Sequence, residues 1–413
     1  MAHNFFANKY LIFLLAFFAP MIISIGGEVS PSFLFIVSTY FFWKKYLDFK
    51  HDKILKQFIR LFSIIIAVQV VWIPFAETDL ITQIKAVLIT VSGLFFFLYY
   101  YMVYSYNKDV VKWSLLGTFL STFVFVNVLA EVAGGEFGMW KFQIMPRLVS
   151  MTALIYLWTS SNKTVRKLAP FMFLFVGGLG LVTGARSCGL SPFMAGAVCL
   201  MVQLNGVKLK NLKKYVIGGA VSLYAMYALV YVPNVLNGNI TGGNTEQLKA
   251  VENPYNPLNL LMVGRTDSIV PFIAFLDNPI TGWGYFTSDP NFKYHLLNNK
   301  LQSGDSSEGY QQDSSIRYNI PGHSVWGYYS CSYGIIVFFV LFLFLRKTWG
   351  LLFRSLTSRD EYLQYRIFAI FGLTWNFIFS PISHFKTLPM TMALIVVFSV
   401  SAIKYQKLID EKI

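Results

Sequence analysis

The chain has 413 residues, of which 55% are hydrophobic and 13% are charged. Soluble domains carry roughly 25% charged residues, so this composition excludes an ordinary soluble protein and indicates a polytopic membrane protein. The formal net charge is +14, and the three cysteines match neither a metal-binding spacing nor a disulfide framework.

Twelve apolar runs are long enough, or nearly so, to cross a bilayer as helices. No cleavable signal peptide is predicted, and the first run is interpreted as a span. In chain order the predicted spans are 8–25, 30–43, 58–76, 81–105, 112–130, 143–160, 168–183, 188–205, 214–233, 324–346, 363–382 and 386–404.

This pattern predicts an all-α integral membrane protein of three parts. Residues 1–233 hold transmembrane helices 1–9, residues 234–323 form a long polar loop with short helices, and residues 324–413 hold helices 10–12. A polar stretch of this length in a chain that is otherwise mostly apolar is typical of a functional loop.

The distribution of lysine and arginine predicts the orientation. With the N-terminus in the cytoplasm, 24 of the 34 basic residues fall in cytoplasmic connections. The short outer connections near residues 24–30 and 76–80 carry none. This bias follows the positive-inside rule, places both termini in the cytoplasm and accounts for the net charge without a nucleic-acid partner. The loop 234–323 then faces the periplasm, where chemistry needs a substrate activated beforehand, because no ATP is available there.

Arg186 is predicted at the outer junction of the seventh and eighth spans. Small residues flank it on both sides, which lets another group approach closely. An arginine at the membrane edge in such surroundings can bind an anion or a phosphate. The alternative is an interfacial arginine whose side chain reaches out to lipid headgroups.

Arg265 opens a predicted amphipathic helix in the long loop. Apolar residues at 269, 272, 273 and 276 have helical spacing, and the segment ends at the turn-forming sequence Asp-Asn-Pro of residues 277–279. An arginine in the first turn opposes the helix dipole and so needs another reason to be there. Anion binding is one reason, and a salt bridge to Asp267 or a nearby glutamate is the other.

His323 directly precedes the tenth span and is expected near the N-terminus of that helix. Such a position favours the neutral imidazole, which can act as a general base. Taken alone, a capping or interfacial histidine is the competing interpretation. Of the other histidines, His384 at the outer end of the eleventh span is the second candidate. No metal-ligand set and no cofactor motif is predicted.

Three segments in this order resemble the superfamily of O-antigen ligases and polymerases, which are glycosyltransferases of the bacterial envelope. The first is residues 183–187 (Thr-Gly-Ala-Arg-Ser). The second is residues 264–265 (Gly-Arg), followed by the amphipathic helix and the Asn-Pro-Ile-Thr-Gly-Trp-Gly of 278–284. The third is residues 322–326 (Gly-His-Ser-Val-Trp), with Tyr-Gly-Ile at 333–335 shortly after. The family commonly has Ser-Arg-Gly around the first arginine and His-Asn at the histidine. Twelve spans with a long outer loop before the tenth are similar to the family as well.

The resemblance implies a membrane glycosyltransferase of the lipid-embedded C type in the bacterial inner membrane, with a periplasmic active site. Its donor would be an undecaprenyl-pyrophosphate-linked oligosaccharide. His323 would deprotonate the acceptor hydroxyl, and Arg186 and Arg265 would bind the pyrophosphate, with Arg317 and Arg147 as second-tier candidates. Arginines can stabilise that leaving group without a metal, and inversion is expected. A chain-length regulator is a further expected partner.

The favoured function is a polymerase that joins lipid-linked repeat units of O-antigen, capsule or exopolysaccharide. The second interpretation is a ligase that transfers finished polymer to lipid A-core. The family's His-Asn is His-Ser here, which tilts the interpretation to the polymerase. A transporter or flippase is the alternative of another class. It would need charges or broken helices within the spans, and these spans are poor in ionisable residues away from their ends.

Overall fold

The computed structural model describes residues 5–21, 23–24, 28–125, 139–183, 185–205, 221, 224–225, 227–239, 248, 251, 253–256, 259, 265–303, 319–358, 360–380, 385 and 387–411. Within these ranges the side chain of Arg186 is not among those described.

Almost all regular structure in the described residues is helical. The helices are α1 Lys9–Phe18, α2 Pro31–Ser38, α3 Tyr40–Trp43, α4 Lys53–Trp72, α5 Leu80–Tyr106, α6 Val110–Phe125, α7 Met145–Thr159, α8 Lys163–Val182, α9 Arg186–Asn205, α10 Val232–Leu236, α11 Thr266–Asp277, α12 Lys293–Ser303, α13 Val325–Ser355, α14 Leu363–Phe379 and α15 Leu388–Asp410. Short 3₁₀ turns occupy Lys44–Tyr46, Ile73–Phe75 and Pro290–Phe292, and π-helical turns occupy Trp140–Ile144 and Tyr227–Tyr231. Two-residue strands, β1 Ile23–Ser24 and β2 Glu28–Val29, pair antiparallel.

The chain is an all-α, multi-pass membrane protein. Among the described residues, six helical stretches are long and apolar enough to cross a bilayer: Lys53–Phe75, Leu80–Tyr106, Lys163–Val182, Ser187–Leu204, Val325–Ser355 and Leu388–Leu408. Shorter apolar helices lie at Lys9–Phe18, Val110–Phe125 and Tyr227–Leu236. The full set of twelve spans stays a prediction, since several predicted spans correspond to these shorter helices.

Helices α8 and α9 form a hairpin with very close backbones. A Cβ added at Gly180 would lie 2.8 Å from the Cα of Gly189 on the facing helix. Small residues at a membrane helix interface permit this approach, which strengthens van der Waals packing where lipid offers no hydrophobic driving force. The close packing fixes the turn between the two helices, and this turn holds the first of the three motifs.

Helix α13 is broken at Gly334, and the long loop fills the break. Gly334 has φ 76° and ψ −165°, a conformation that side chains rarely adopt. Loop residues bond the backbone groups that the break exposes: Trp283 N donates to Cys331 O at 2.8 Å, and Gly284 N donates to Ser332 O at 2.9 Å. Ile335 N donates to Pro279 O at 2.7 Å. The loop is therefore joined to the first turns of α13 rather than lying free above the bundle.

The loop also contacts the turn between α4 and α5. Thr78 Oγ1 and Gln83 Nε2 both donate to the carbonyl of Tyr285, at 3.1 and 3.2 Å. Both segments were predicted on one side of the membrane from the charge distribution. We call this side the loop face.

The basic connections meet at the opposite ends of the helices. Lys347 Nζ donates to Gln57 Oε1 at 2.9 Å, which joins the C-terminal half of α13 to the start of α4. Gln203 and Gln364 both donate to the carbonyl of Arg166 at 2.6 Å. We call this side the basic face, and the charge distribution predicts that it is cytoplasmic.

Candidate functional site

Arg265 occupies the N-cap position of α11, one residue before the first turn in which it was predicted. Its carbonyl accepts hydrogen bonds from the amides of Ser268 and Ile269, at 3.0 and 3.1 Å. The helix ends at Asp277 as its turn-forming sequence predicts. Three members of the predicted apolar stripe, at 269, 272 and 273, are half-buried, whereas Leu276 is 71% exposed. The buried residues of α11 are Thr266, Ser268, Val270, Pro271, Ala274 and Phe275.

The guanidinium of Arg265 lies half-buried against the last turn of α14. Its Cζ is 5.6 Å from the ring centroid of Trp375 and 5.9 Å from that of Phe379. Aromatic rings at this distance attract a cation through their quadrupoles. Neither ring was predicted as part of the site, although two aromatic residues four apart at the outer end of a span were a usable signal.

No described carboxylate forms an ion pair with Arg265. The predicted alternative, a salt bridge to Asp267, is therefore wrong, and the carboxylate of Asp267 instead accepts from Asn298 Nδ2 at 2.7 Å. Burial lowers the pKa of Arg265 because desolvation disfavours its charged form, while Cys188 and Asp267 nearby act in the opposite direction. A guanidinium nevertheless remains protonated in proteins, so Arg265 is a charged group with no ion-pair partner among the described carboxylates.

The start of α9 lies close enough to Arg265 for an electrostatic interaction. Cys188, in the first turn of α9, is in electrostatic range of both Arg265 and Lys141. The turn is anchored to the segment before α7, since Trp140 Nε1 donates to Thr183 Oγ1 at 2.7 Å. Arg186 is the first residue of α9. A helix N-terminus carries partial positive charge, so positive potential from three sources meets here: the helix end, Arg265 and Lys141.

His323 is attached through its backbone to the helix that Arg265 opens. Its amide donates to the carbonyl of Asp267 at 3.0 Å. Its carbonyl accepts from Ser268 Oγ at 2.8 Å. Two hydrogen bonds thus hold His323 beside the first turn of α11, two and three residues after Arg265. The second and third motifs, 58 residues apart in sequence, are brought together by this pair of bonds.

Ser324, not His323, caps α13. Ser324 is fully buried and its Oγ accepts from the amide of Gly327 at 2.9 Å. The capping role proposed as an alternative for His323 is therefore wrong. The His323 side chain is exposed. The residue after the histidine thus has a structural task, which serine performs well because its short hydroxyl reaches the first-turn amides.

Of the two further arginine candidates, Arg147 and Arg317, the structure describes only Arg147. Arg147 Nη2 donates to the carbonyl of Thr122 at 2.9 Å, and its guanidinium lies 4.2 Å from the ring centroid of Phe123. These contacts engage it with the end of α6. Arg317 lies outside the described residues, as does His384.

The aromatic residues near the loop serve packing. Tyr285 and Tyr328 are 3% and 4% exposed, and the indoles of Trp283 and Trp326 donate to the carbonyls of Ala274 and Phe338. Their burial and hydrogen bonding assign them to the joint between the loop and α13.

No protein-family model, curated protein or solved structure matches the chain. The family resemblance therefore rests on the three motifs themselves.

The motifs converge on one region of the loop face. It combines a half-buried cation, a helix N-terminus and a histidine whose side chain is exposed. Such an arrangement can bind an anionic leaving group and accept a proton nearby.

Proposed function

We propose that this protein is a membrane glycosyltransferase that polymerises lipid-linked oligosaccharide repeat units at its loop face. The observation that carries the proposal is the attachment of His323 to the first turn after Arg265, beside the start of α9. A base and a cation on one rigid support match the needs of a transfer in which a pyrophosphate leaves.

In the proposed reaction, the His323 imidazole removes the proton of an acceptor hydroxyl. The oxygen attacks the anomeric carbon of the donor sugar, and the bond from that carbon to undecaprenyl pyrophosphate breaks with inversion. Arg265 and Arg186 bind the departing pyrophosphate and neutralise its developing charge. The donor is already activated, so the reaction needs no ATP. The face on which this happens is periplasmic by the charge distribution, and the membrane is the bacterial inner membrane.

The acceptor distinguishes the polymerase from the ligase. A polymerase transfers to a second lipid-linked repeat unit, whereas a ligase transfers to lipid A-core. The serine after His323 favours the polymerase through the family pattern, and its capping contact accounts for why a serine is tolerated there. Supplying purified protein with lipid-linked repeat units and no lipid A-core separates the two, since only a polymerase forms longer chains.

A transporter has one observation in its favour, the break in α13 at Gly334. Broken helices in transporters commonly expose backbone groups to an ion or substrate. Here three of those groups bond to loop residues 279–284 instead. The break therefore serves to seat the loop, and glycosyl transfer remains the better-supported function.

The test is complementation of a strain whose own copy of the gene is deleted. We expect His323→Ala and Arg265→Ala to abolish long polysaccharide ladders on gels while the protein still accumulates in the membrane. Arg265→Lys should fail as well, because lysine keeps the charge but loses the planar guanidinium that lies against Trp375.

Matched controls lie on the basic face. His51→Ala and Arg60→Ala remove the same residue types at exposed positions, and we expect normal ladders from both. Polysaccharide ladders of normal length from both His323→Ala and Arg265→Ala would contradict the proposal.

A further inference from the structure

A groove opens at the basic face between the first turns of α4 and the last turns of α13, with α14 as its third wall. Its cavity volume is about 720 Å³. Aromatic and aliphatic side chains form the floor, among them Phe58, Phe342 and Phe353. Its rim is basic, and no acidic side chain is among the described residues that line it. The cations lie at the basic face, and the apolar part of the groove extends to Trp326 near the start of α13.

Three cations converge on this rim. Arg346, Gly350 and Arg354 are spaced four apart on α13, so they share one side of the helix. Arg354 Nε donates to the carbonyl of Gly350 at 3.1 Å, which folds its side chain back towards Arg346. Lys347 is held at the rim by its hydrogen bond to Gln57. No described carboxylate forms an ion pair with any of the three cations.

Gly350 leaves the groove open between the two arginines. A Cβ added there would meet no atom within 4 Å. The glycine is therefore not required for helix packing, unlike Gly180 or Gly334 in the same chain. Its effect is to leave free space beneath the Arg354 side chain, at the point where the basic rim meets the apolar floor.

An amphipathic anion fits this combination of surfaces. Long acyl chains match an aromatic floor that faces the bilayer, and a phosphate matches a pair of guanidinium groups. Basic pockets between transmembrane helices on the cytoplasmic side are known to hold anionic headgroups. A zwitterionic phospholipid brings the same phosphate but adds a cation, which the three basic residues would repel.

We propose that this groove binds an acidic phospholipid of the bilayer. The headgroup phosphate lies between Arg346 and Arg354 above Gly350, and an acyl chain lies along Phe342 towards α14. The proposal does not depend on sugar transfer at the loop face.

Native mass spectrometry of the purified full-length protein tests it, with phosphatidylglycerol and phosphatidylcholine as the two probes. We expect phosphatidylglycerol to be retained in preference to phosphatidylcholine. Each of Arg346→Gln and Arg354→Gln should weaken its binding about fivefold, from the usual contribution of one basic residue near an anionic headgroup. Gly350→Leu should weaken it at least as much, because the added side chain starts in open space, where a Cβ meets no atom within 4 Å, and occupies the place of the headgroup.

Two control variants make comparable changes outside the groove, one at a glycine and one at an exposed cation. A Cβ at Gly178 on α8 also meets nothing within 4 Å, so Gly178→Leu should bind phosphatidylglycerol like the unaltered protein. Lys407→Gln removes an exposed cation that does not line the groove. Equal retention of the two lipids by the unaltered protein would overturn the proposal. So would unchanged phosphatidylglycerol binding in both arginine variants, a result that does not depend on how well Gly350→Leu folds.

Discussion

Replacing Gly334 by alanine should break the joint between the long loop and α13. The residue sits at φ 76° and ψ −165°, which costs a side chain on the order of 1–3 kcal/mol. A Cβ there would also overlap the carbonyl oxygen of Ile280. That oxygen belongs to the backbone, so it cannot rotate away as the end of a side chain could, and the loop segment must shift.

This shift should break or lengthen the three backbone hydrogen bonds between residues 279–284 and α13, whose lengths are 2.7, 2.8 and 2.9 Å. Each such bond contributes a net of about 1 kcal/mol. Together with the backbone strain, the expected loss is roughly 4–6 kcal/mol. Since His323 lies at the start of the same helix, the loss should reach the candidate site as well.

Thermal unfolding of the detergent-purified protein measures this loss. We expect the midpoint for Gly334→Ala to fall by roughly 5 °C or more. Gly350→Ala is the control on the same helix: its Cβ meets nothing within 4 Å, and alanine is the better helix former by about 0.5–1 kcal/mol. Its midpoint should stay level or rise. Equal midpoints for Gly334→Ala and the unaltered protein would refute the seating of the loop in the helix break.

Three further outcomes are expected. Ser268→Ala removes the 2.8 Å hydrogen bond to the carbonyl of His323. Because such a bond contributes about 1 kcal/mol, polymer formation should fall about fivefold. The amount of protein in the membrane, measured on immunoblots, should not change. Asp360→Asn leaves the buried guanidinium of Arg366 without its bidentate carboxylate. The free energy of unfolding should fall by about 3–5 kcal/mol and the thermal midpoint should fall with it. A loss of less than about 1 kcal/mol would contradict a stabilising role for this ion pair. A membrane-impermeant maleimide added from the periplasmic side should label Glu77→Cys and not His51→Cys, and the reverse pattern would invert the orientation.

The membrane class of the chain could be predicted from its sequence because hydrophobicity is a property of each residue. A run of about 20 apolar residues can satisfy its backbone in lipid only as a helix, whatever its neighbours are. The turn after α4, the helix from Thr266 to Asp277 and the start of α13 at Val325 were also predictable. Each is set by local signals such as proline, a helix-capping residue or a break in apolar spacing.

The sequence also predicted Arg265 and His323 as site residues, but it did not predict the contacts that bring them together. Their contact runs through the backbone carbonyl of Asp267 and the hydroxyl of Ser268, which both bond to backbone atoms of His323. The identity of the histidine side chain therefore does not predict it. The rings of Trp375 and Phe379 reach Arg265 because α14 ends beside α11, and only the packing of these helices decided that pairing.

Tertiary packing likewise decided which face of α11 is buried. In a soluble helix the apolar stripe predicts the packed side, because water is the alternative environment. In α11 that stripe is only half-buried and Leu276 at its end is exposed, while Ala274 and Phe275 are buried against the rest of the fold. Hydrophobicity alone thus determined that this chain lies in a membrane. Which polar groups share a site depended on the two bonds between His323 and the first turn of α11, and on how the loop is joined to α13 at the Gly334 break.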